Sequence, residues 1–384
     1  MRCSFRITNG RVVDPAAGID EVRDLYIANG RMVAGMDGVR GAGEVIDARG
    51  CIVVPGLIDF HTHLDWLHSD VGLHPDLMTL PNGVTAAVDA GTDGSANFEG
   101  FYKNVACSAD ITIKSFINVA AAGIITEMHT EMPDPKYWDI PRTEYLFQRY
   151  RADVLGLKLR LGKIFSKEFG IKPLAIAKDL AKKLDTALCV HAVHPESPFD
   201  EILAQMGAGD ILCHCYQGKG PYSIVDSSGK VIRAAREARE RGVIFDSASG
   251  RANYSFAVAR NAIADGFLPD VITTDVVTYS IYKPKVFSLT HVMSYYLALG
   301  LSLNDVLRRV TETPARLMGL EGIIGTLKSG ACGDVAIFKI DERPMTFNDQ
   351  FGNTVLGNQL IIPQMTIKAG RTAYMSVEFA FPRQ

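Results

Sequence analysis

Eight short apolar runs begin near Leu57, Val84, Ile111, Val154, Ala187, Asp210, Val243 and Val271, at steps of 23 to 43 residues. The stretches between them read as helices: KPLAIAKDLAKKL (172 to 184) and KVIRAAREARERG (230 to 242) repeat their apolar residues near a period of 3.6. Strand and helix alternating eight times over residues 55 to 324 predict an α/β fold, a (β/α)8 TIM barrel of about 30 residues per unit. A doubly wound open sheet is the structural alternative. It wants a glycine-rich phosphate turn after its first strand, and none is present. The longest step, 43 residues between the third and fourth runs, contains GIITEMHTEMPDPKYWDIPRTEY, which in a barrel would hang over the catalytic mouth.

The two ends of the chain have a different texture. FRITNGRVVD, DLYIANGRMVAGM and EVIDARGCIVVPG read as short strands, with Asn9-Gly10 and Asn29-Gly30 as hairpin signals between apolar alternations. GTLKSGACGDVAIFKID (325 to 341) and LIIPQMTIKAGRTAYMS (360 to 376) share that composition. Neither end alone supplies much core, so residues 1–54 and 325–384 are expected to combine into one small β-sandwich domain around the barrel of residues 55–324.

A chain of 384 residues with 47% hydrophobic content can bury a large core, which excludes a disordered tail or a small disulfide scaffold. Forty Lys and Arg against 43 Asp and Glu give a net charge of -3, so nothing general draws the chain to nucleic acid or an anionic membrane. The partner expected is a small-molecule substrate. Seven cysteines, an odd number set mostly in apolar segments, fit reduced buried thiols. The opening MRCSFRITNGRVVD lacks a signal-peptide core, and no run approaches the roughly 18 apolar residues of a membrane span. A soluble cytoplasmic protein is expected.

Chemistry is concentrated at the ends of the predicted strands, where barrel sites are assembled. In GLIDFHTHLDW, His61 and His63 stand two apart, so both imidazoles face one way. TALCVHAVH ends the fifth strand with His191, DILCHCYQG the sixth with His214, and DVITTDVV the eighth with Asp275. Each alone could be a hydrogen-bonded core residue. Together they form a metal-ligand set that suits zinc, with manganese, iron, cobalt or nickel chemically open. Cys213 and Cys215 flank His214, and strand alternation turns both toward the helix layer as packing.

In VLGLKLRLG, Leu157 and Leu159 belong under the helices, which puts Lys158 and Arg160 inside the barrel. An unpaired buried ammonium has its pKa pushed down. A neutral amine beside a metal pair reacts with carbon dioxide to a carbamate able to bridge two cations; a salt bridge to a core carboxylate is the bland alternative. Arg160 offers a planar fork to an anionic substrate group, or holds the rim through an ion pair; Arg251 is a second candidate of the same kind.

His61-Thr-His63, Lys158, His191, His214 and Asp275, with the preceding VVPGLID and the trailing GDVAIF, resemble the amidohydrolase superfamily of metal-dependent hydrolases over essentially the whole chain. GVTAAVDAGT and GLKLRLG look most like its dihydroorotase-related deacetylase branch. The resemblance implies two divalent metal ions, with His61, His63 and Asp275 holding the more buried one and His191 and His214 the more exposed one. Carboxylated Lys158 would bridge them. It further implies that Asp275 takes a proton from a water shared by the two cations and passes it to the leaving group, in a binuclear metal centre that hydrolyses the amide or ester of a small acylated amino or hydroxy acid.

The departures narrow this. Dihydroorotase-type sequences carry an arginine two positions after the His-X-His, where this chain has Asp65, and a His-Gly pair after the seventh strand, where it has Ser249-Gly250. Alternatives are a cyclic amidase of the hydantoinase, dihydropyrimidinase or lactam type, a phosphotriesterase- or lactonase-like hydrolase, a mononuclear deaminase-like enzyme, and a non-catalytic scaffold relative. The last would be expected to lose ligands. His68, His74, His129 and His194 read as solvent-facing or substrate-adjacent, and Asp89 as orienting a ligand histidine or the backbone. SLTHVMSYYLALGLS (288 to 302) is apolar enough to meet another subunit of a homo-oligomer, although any barrel helix must bury one face.

Overall fold

The computed structural model describes residues 3–35, 43–250, 252–282 and 286–381. Leu57–Thr62, Val84–Asp89, Thr112–Asn118, Val154–Leu161, Ala187–Ala192, Ile211–Cys213 and Ile244–Phe245 are hydrogen-bonded in chain order as one parallel sheet. These are the expected first seven barrel strands, each within a residue of its predicted start. The expected eighth, from Val271, closes the circle without a regular ladder. Val271 bridges Asp246 on one side and Val276 bridges Thr62 on the other, both in parallel. Between those points side chains take over: Asp59 accepts the amide and hydroxyl of Thr274 at 3.1 and 2.6 Å, and Ser247 Oγ accepts the Thr273 amide at 3.0 Å. The result is a TIM-like barrel whose last segment is free to turn its side chains into the mouth.

Alternation sorts the fourth strand as its pattern predicts. Leu157, Leu159 and Leu161 pack with Leu174, Ala177 and Leu180 of the helix Lys172–Lys183, while Lys158 is buried in the interior. A separate interior cluster contains Ile58, Phe60, Val88, Phe116, Cys189 and Cys213. This cluster fills the barrel beneath the histidines and Asp275, which stand at the C-terminal strand ends.

Both ends of the chain contribute to the outer sheets. A six-stranded sheet runs in the order Arg371–Met375, Thr354–Lys368, Val335–Asn348, Ile52–Pro55, Arg11–Asp14, Ile19–Val22. A four-stranded sheet runs Arg31–Val33, Leu25–Ala28, Cys3–Thr8, Glu44–Asp47. Val53, Val335 and Ile337 face the four-stranded sheet, in a core with Phe5, Ile7 and Ile27, whereas Val54, Ala336 and Phe338 face the barrel. Burial on both faces explains the unbroken apolar run IVVP. Asp14 Oδ2 ties the two ends together, accepting the Thr326 hydroxyl and the Leu327 amide at 2.8 and 2.7 Å.

Of the two hairpin signals one holds. Asn29 and Gly30, both left-handed, join Leu25–Ala28 to its antiparallel partner Arg31–Val33. Asn9-Gly10 makes no hairpin, because Cys3–Thr8 pairs within the four-stranded sheet and Arg11–Asp14 within the other. The dipeptide is a corner between sheets, where partners far along the chain outcompete the local turn.

The helix Leu289–Ala298, capped by Ser288, buries seven of its residues, Tyr295 and Tyr296 among them, beneath the strand Thr354–Lys368, where Ser294 Oγ accepts the Ile361 amide at 2.9 Å. Its apolar surface is thus accounted for within one chain. Cys51, Cys189, Cys213 and Cys215 are buried free thiols and Cys107 is exposed. Among the described residues no helix is long and apolar enough to cross a membrane.

Candidate metal centre

Strand ends deliver the site. The pairing of the first and second strands shifts register between Asp59 and Thr62. This irregularity brings His61 and His63 together to the mouth just after Phe60 has faced the interior. Three later strand ends break alternation differently: His214, Ala248 and Asp275 all have left-handed backbone, with φ of 55°, 35° and 50°. Non-glycine residues hold that conformation at a cost, and such strain concentrates at functional sites. At His214 the turn also overturns the expectation for its neighbour. Cys213 points into the barrel and not toward the helices, because the left-handed step lets Cys213 and His214 face the same side; Cys215 does face the helix layer.

His61, His63, Lys158, His191, His214 and Asp275 converge on one cavity of about 330 Å³. Asp275 Oδ1 lies 3.7 Å from His61 Nε2 and 3.4 Å from His63 Nε2, and Oδ2 lies 4.0 Å from His214 Nδ1. The rings of His61 and His214 are 5.5 Å apart and those of His191 and His214 4.5 Å. Donor atoms of His61, His63 and Asp275 lie close enough to hold one ion, as do those of a second group, His61, Cys213 and Asp246.

The hydrogen bonds behind the histidines decide which nitrogen each presents. His61 Nδ1 donates to Asp246 Oδ2 at 2.6 Å. His63 Nδ1 donates at 2.8 Å to Thr92 Oγ1, whose own proton goes to Asp89 Oδ2 at 2.7 Å. His214 Nδ1 donates at 2.8 Å to the Ala248 carbonyl, which can only accept. In all three Nε2 is the nitrogen left for the cavity. Nε2 of His191 is buried with no hydrogen-bond partner. Orienting acceptors behind imidazoles, and a buried nitrogen lacking a partner, are what a divalent-metal site requires. Imidazole and carboxylate donors therefore fit the group.

The electrostatics agree at His191, His214 and Asp275. Burial, reinforced by His61 and Lys158, outweighs Asp275 and pushes His214 down to about 3. Burial and the neighbouring His214, Arg160 and Lys158 push His191 well below its ordinary value. Both rings are neutral and able to ligate. Burial pushes Asp275 up, but the hydrogen bond with His63 and the His214 and His61 imidazoles outweigh it and hold the carboxylate well below its usual range. Burial and Lys158 push His61 down, yet Cys213 and Asp246 outweigh them and raise it to about 10, so an ion held at His61 Nε2 has to displace a proton.

Lys158 departs from its sequence-based expectation. Its Nζ lies 3.4 Å from Cys213 Sγ and 3.7 Å from Cys189 Sγ, the two sulfurs being 3.0 Å apart. Burial pulls the amine down, but Cys189 and Cys213, then Asp275 and Asp246, outweigh it and raise it. Protein groups alone thus hold the amine protonated. Its stem passes Gly91, where a Cβ would sit 2.4 Å from Lys158 Cβ.

The other candidates divide. Arg160 lines the cavity but is engaged by Glu131 at 3.0 Å. Arg251 lies outside the described residues. His129 and His194 line the cavity, as do Thr126, Glu127, Thr130 and Glu131 of the long insertion, which covers the mouth as expected. His68 pairs with buried Asp65 at 2.9 Å, and the His74 ring lies 5.1 Å from that of Trp66. Asp89 orients His63 through Thr92. Sequence reasoning missed Asp246, Thr92 and Glu131. Of these only Asp246 had a readable signal, its place at the end of the seventh strand.

A TIM-like barrel with convergent His, Lys and Asp side chains at its C-terminal mouth defines a metal-dependent hydrolase. Residues 52–360 match the amidohydrolase family, and the chain belongs to that family; with its deacetylase relatives this makes it a hydrolase of carbon-nitrogen bonds other than peptide bonds. It is 31% identical over 323 residues to a deacetylase of Agrobacterium fabrum, covering 84% of this chain and 79% of that protein. It is 30% identical over 323 residues to a deacetylase of Enterococcus faecalis, covering 84% and 86%. A crystal structure of a dihydroorotase superposes with a TM-score of 0.89 at 28% identity, covering 97% of this chain and 98% of that one. An adenine deaminase structure gives 0.87 at 29%, covering 97% and 100%.

Proposed function

We propose that this protein is a deacetylase that hydrolyses the amide, or ester, bond of a small acylated amino or hydroxy acid at a centre of two zinc ions. The observation that carries the reading is the set of Nε2 atoms left for one cavity by acceptors behind His61, His63 and His214, with Asp275 between them. The deacetylase relatives, similar over most of the chain, supply the substrate class. His61, His63 and Asp275 would hold one ion and His191 and His214 the other. Lys158, after losing a proton and adding carbon dioxide, would lie between them as a carbamate. When bound, divalent ions supply positive charge that acidifies water and polarises a carbonyl.

The chain's own groups do the rest. Asp275, kept ionised by its imidazole neighbours, accepts the proton of the attacking water and returns it to the leaving nitrogen or oxygen. Asp246 and the Thr92–Asp89 relay keep His61 and His63 in one orientation throughout. The insertion residues over the mouth limit entry of bulk water. The four buried thiols support a cytoplasmic setting, and the sheets drawn from both chain ends support a division into 1–54 plus 325–384 and the barrel 55–324.

Similarity to a dihydroorotase structure favours a second reading, hydrolysis of a cyclic amide. Assaying the zinc-loaded protein on N-acetyl amino acids and O-acetyl hydroxy acids, against hydantoin and dihydropyrimidine rings, separates the two. Metal content of two ions per chain and an intact mass higher by one carbon dioxide are expected. A chelated protein that hydrolyses as fast as the loaded one, or a K158M variant that retains two ions, overturns the proposal.

A further inference from the structure

Arg160 has the geometry of a carboxylate anchor, yet the structure gives it other work. Its Nη1 donates to Glu131 Oε1 at 3.0 Å, with side chains only 18% and 9% exposed, and Asn118 Nδ2 adds a contact to the same oxygen at 3.4 Å. The guanidinium also lies over the Phe165 ring at 3.9 Å, and that ring meets His191 edge-on at 4.9 Å. Glu131, Arg160 and Phe165 thus form one wall that ties the insertion to the strand-five histidine. A substrate carboxylate arriving there would find the positive charge neutralised and would face repulsion from Glu131.

A different cation borders the same cavity. Lys163 follows the fourth strand, and its amide donates to the His194 carbonyl at 3.0 Å, joining the loops after strands four and five. His194 is fixed in left-handed backbone, with φ of 50°, and its amide donates to Gln217 Oε1 at 3.3 Å. Both residues line the cavity, Lys163 as an exposed residue at its edge. Among the described residues no ion pair engages Lys163.

We infer that the carboxylate of the acylated substrate is received by the Lys163 ammonium and the His194 imidazole, while Glu131 reserves Arg160 for the wall. The flexible lysine stem lets the charge follow substrates of different length, and the imidazole N–H adds direction. The inference rests on the deacetylase reading for its substrate class and assigns the residues that select the acid.

The test compares N-acetylalanine with its primary carboxamide, using the zinc-loaded wild type and the variants K163M, H194Q and R160M. In K163M the acid-to-carboxamide ratio of kcat/KM is expected to fall at least tenfold through KM, and in H194Q about threefold. R160M is expected to lower both substrates together. An unchanged ratio in K163M, or a ratio abolished by R160M, overturns the inference. Should the wild type hydrolyse neither compound nor any other N-acetyl amino acid or O-acetyl hydroxy acid, the deacetylase reading fails by itself. Calorimetric binding of the same pair then decides the subsite: a preference for the acid that K163M removes upholds it, and equal binding overturns it.

Discussion

Asp246 Oδ2 lies 2.6 Å from His61 Nδ1 although 185 residues separate the two in sequence. The bond joins the end of the seventh strand to the end of the first, and Thr273 adds its hydroxyl to the other Asp246 oxygen from the closing segment. One buried carboxylate therefore coordinates three strand ends. Burial would push it up, but His61 and the Thr273 hydroxyl hold its pKa below the usual value.

D246N keeps the shape but lacks the charge that fixes the His61 tautomer. Metal affinity is expected to fall roughly 10- to 100-fold, the usual cost of losing a partner behind a ligand histidine. Competition with a fluorescent zinc chelator measures it. T92V, which breaks the relay to His63, is expected to weaken binding in the same direction, whereas unchanged affinity in both would deny these residues an orienting role.

Gly250 is left-handed, with φ of 31°, and a Cβ there would lie 2.4 Å from Asp275 Oδ2. G250A must displace the carboxylate or the turn that carries it. A drop in kcat of at least 100-fold with a near-native circular dichroism spectrum is expected. Wild-type kcat in G250A would mean that the position of Asp275 is not critical.

His291 packs in the helix Leu289–Ala298, away from the metal centre, where burial lowers it to about 4. The unfolded chain binds its proton near the ordinary value of about 6.5 and the folded chain only near 4, so stability rises with pH across that window. Acidification from 6.5 toward 4 is expected to cost up to about 3 kcal/mol through this group alone. Thermal melts of H291F against wild type should show a flatter pH dependence in that interval; parallel curves would remove His291 as the cause.

Lys368 Nζ reaches Asp334 Oδ2 at 2.7 Å, with side chains 10% and 2% exposed, and also contacts Thr112 Oγ1 at 3.0 Å. K368M leaves the Asp334 charge buried without its partner. A loss of about 3 to 5 kcal/mol is expected by denaturant unfolding, with K368M/D334N recovering part of it. A single variant as stable as wild type would show that Asp334 is satisfied by the Ala369 amide.

The sequence alone determined the strand starts, the inward lysine and the late-strand places of the histidines and the aspartate that meet in the cavity, because each depends on local periodicity: a run of apolar residues every 30 or so, and side chains alternating by two along a strand. His61, Lys158, His191, His214 and Asp275 were legible for that reason. What tertiary structure alone decided breaks that periodicity or spans the chain. Asn9-Gly10 is a sheet corner because distant strands compete for its neighbours, and Cys213 faces inward because His214 takes a left-handed turn no pattern announces. Asp246 behind His61, and Glu131 holding Arg160, are fixed by closure of the barrel and folding of the insertion over its mouth. Such contacts between residues far apart in sequence arise only when the whole chain has packed.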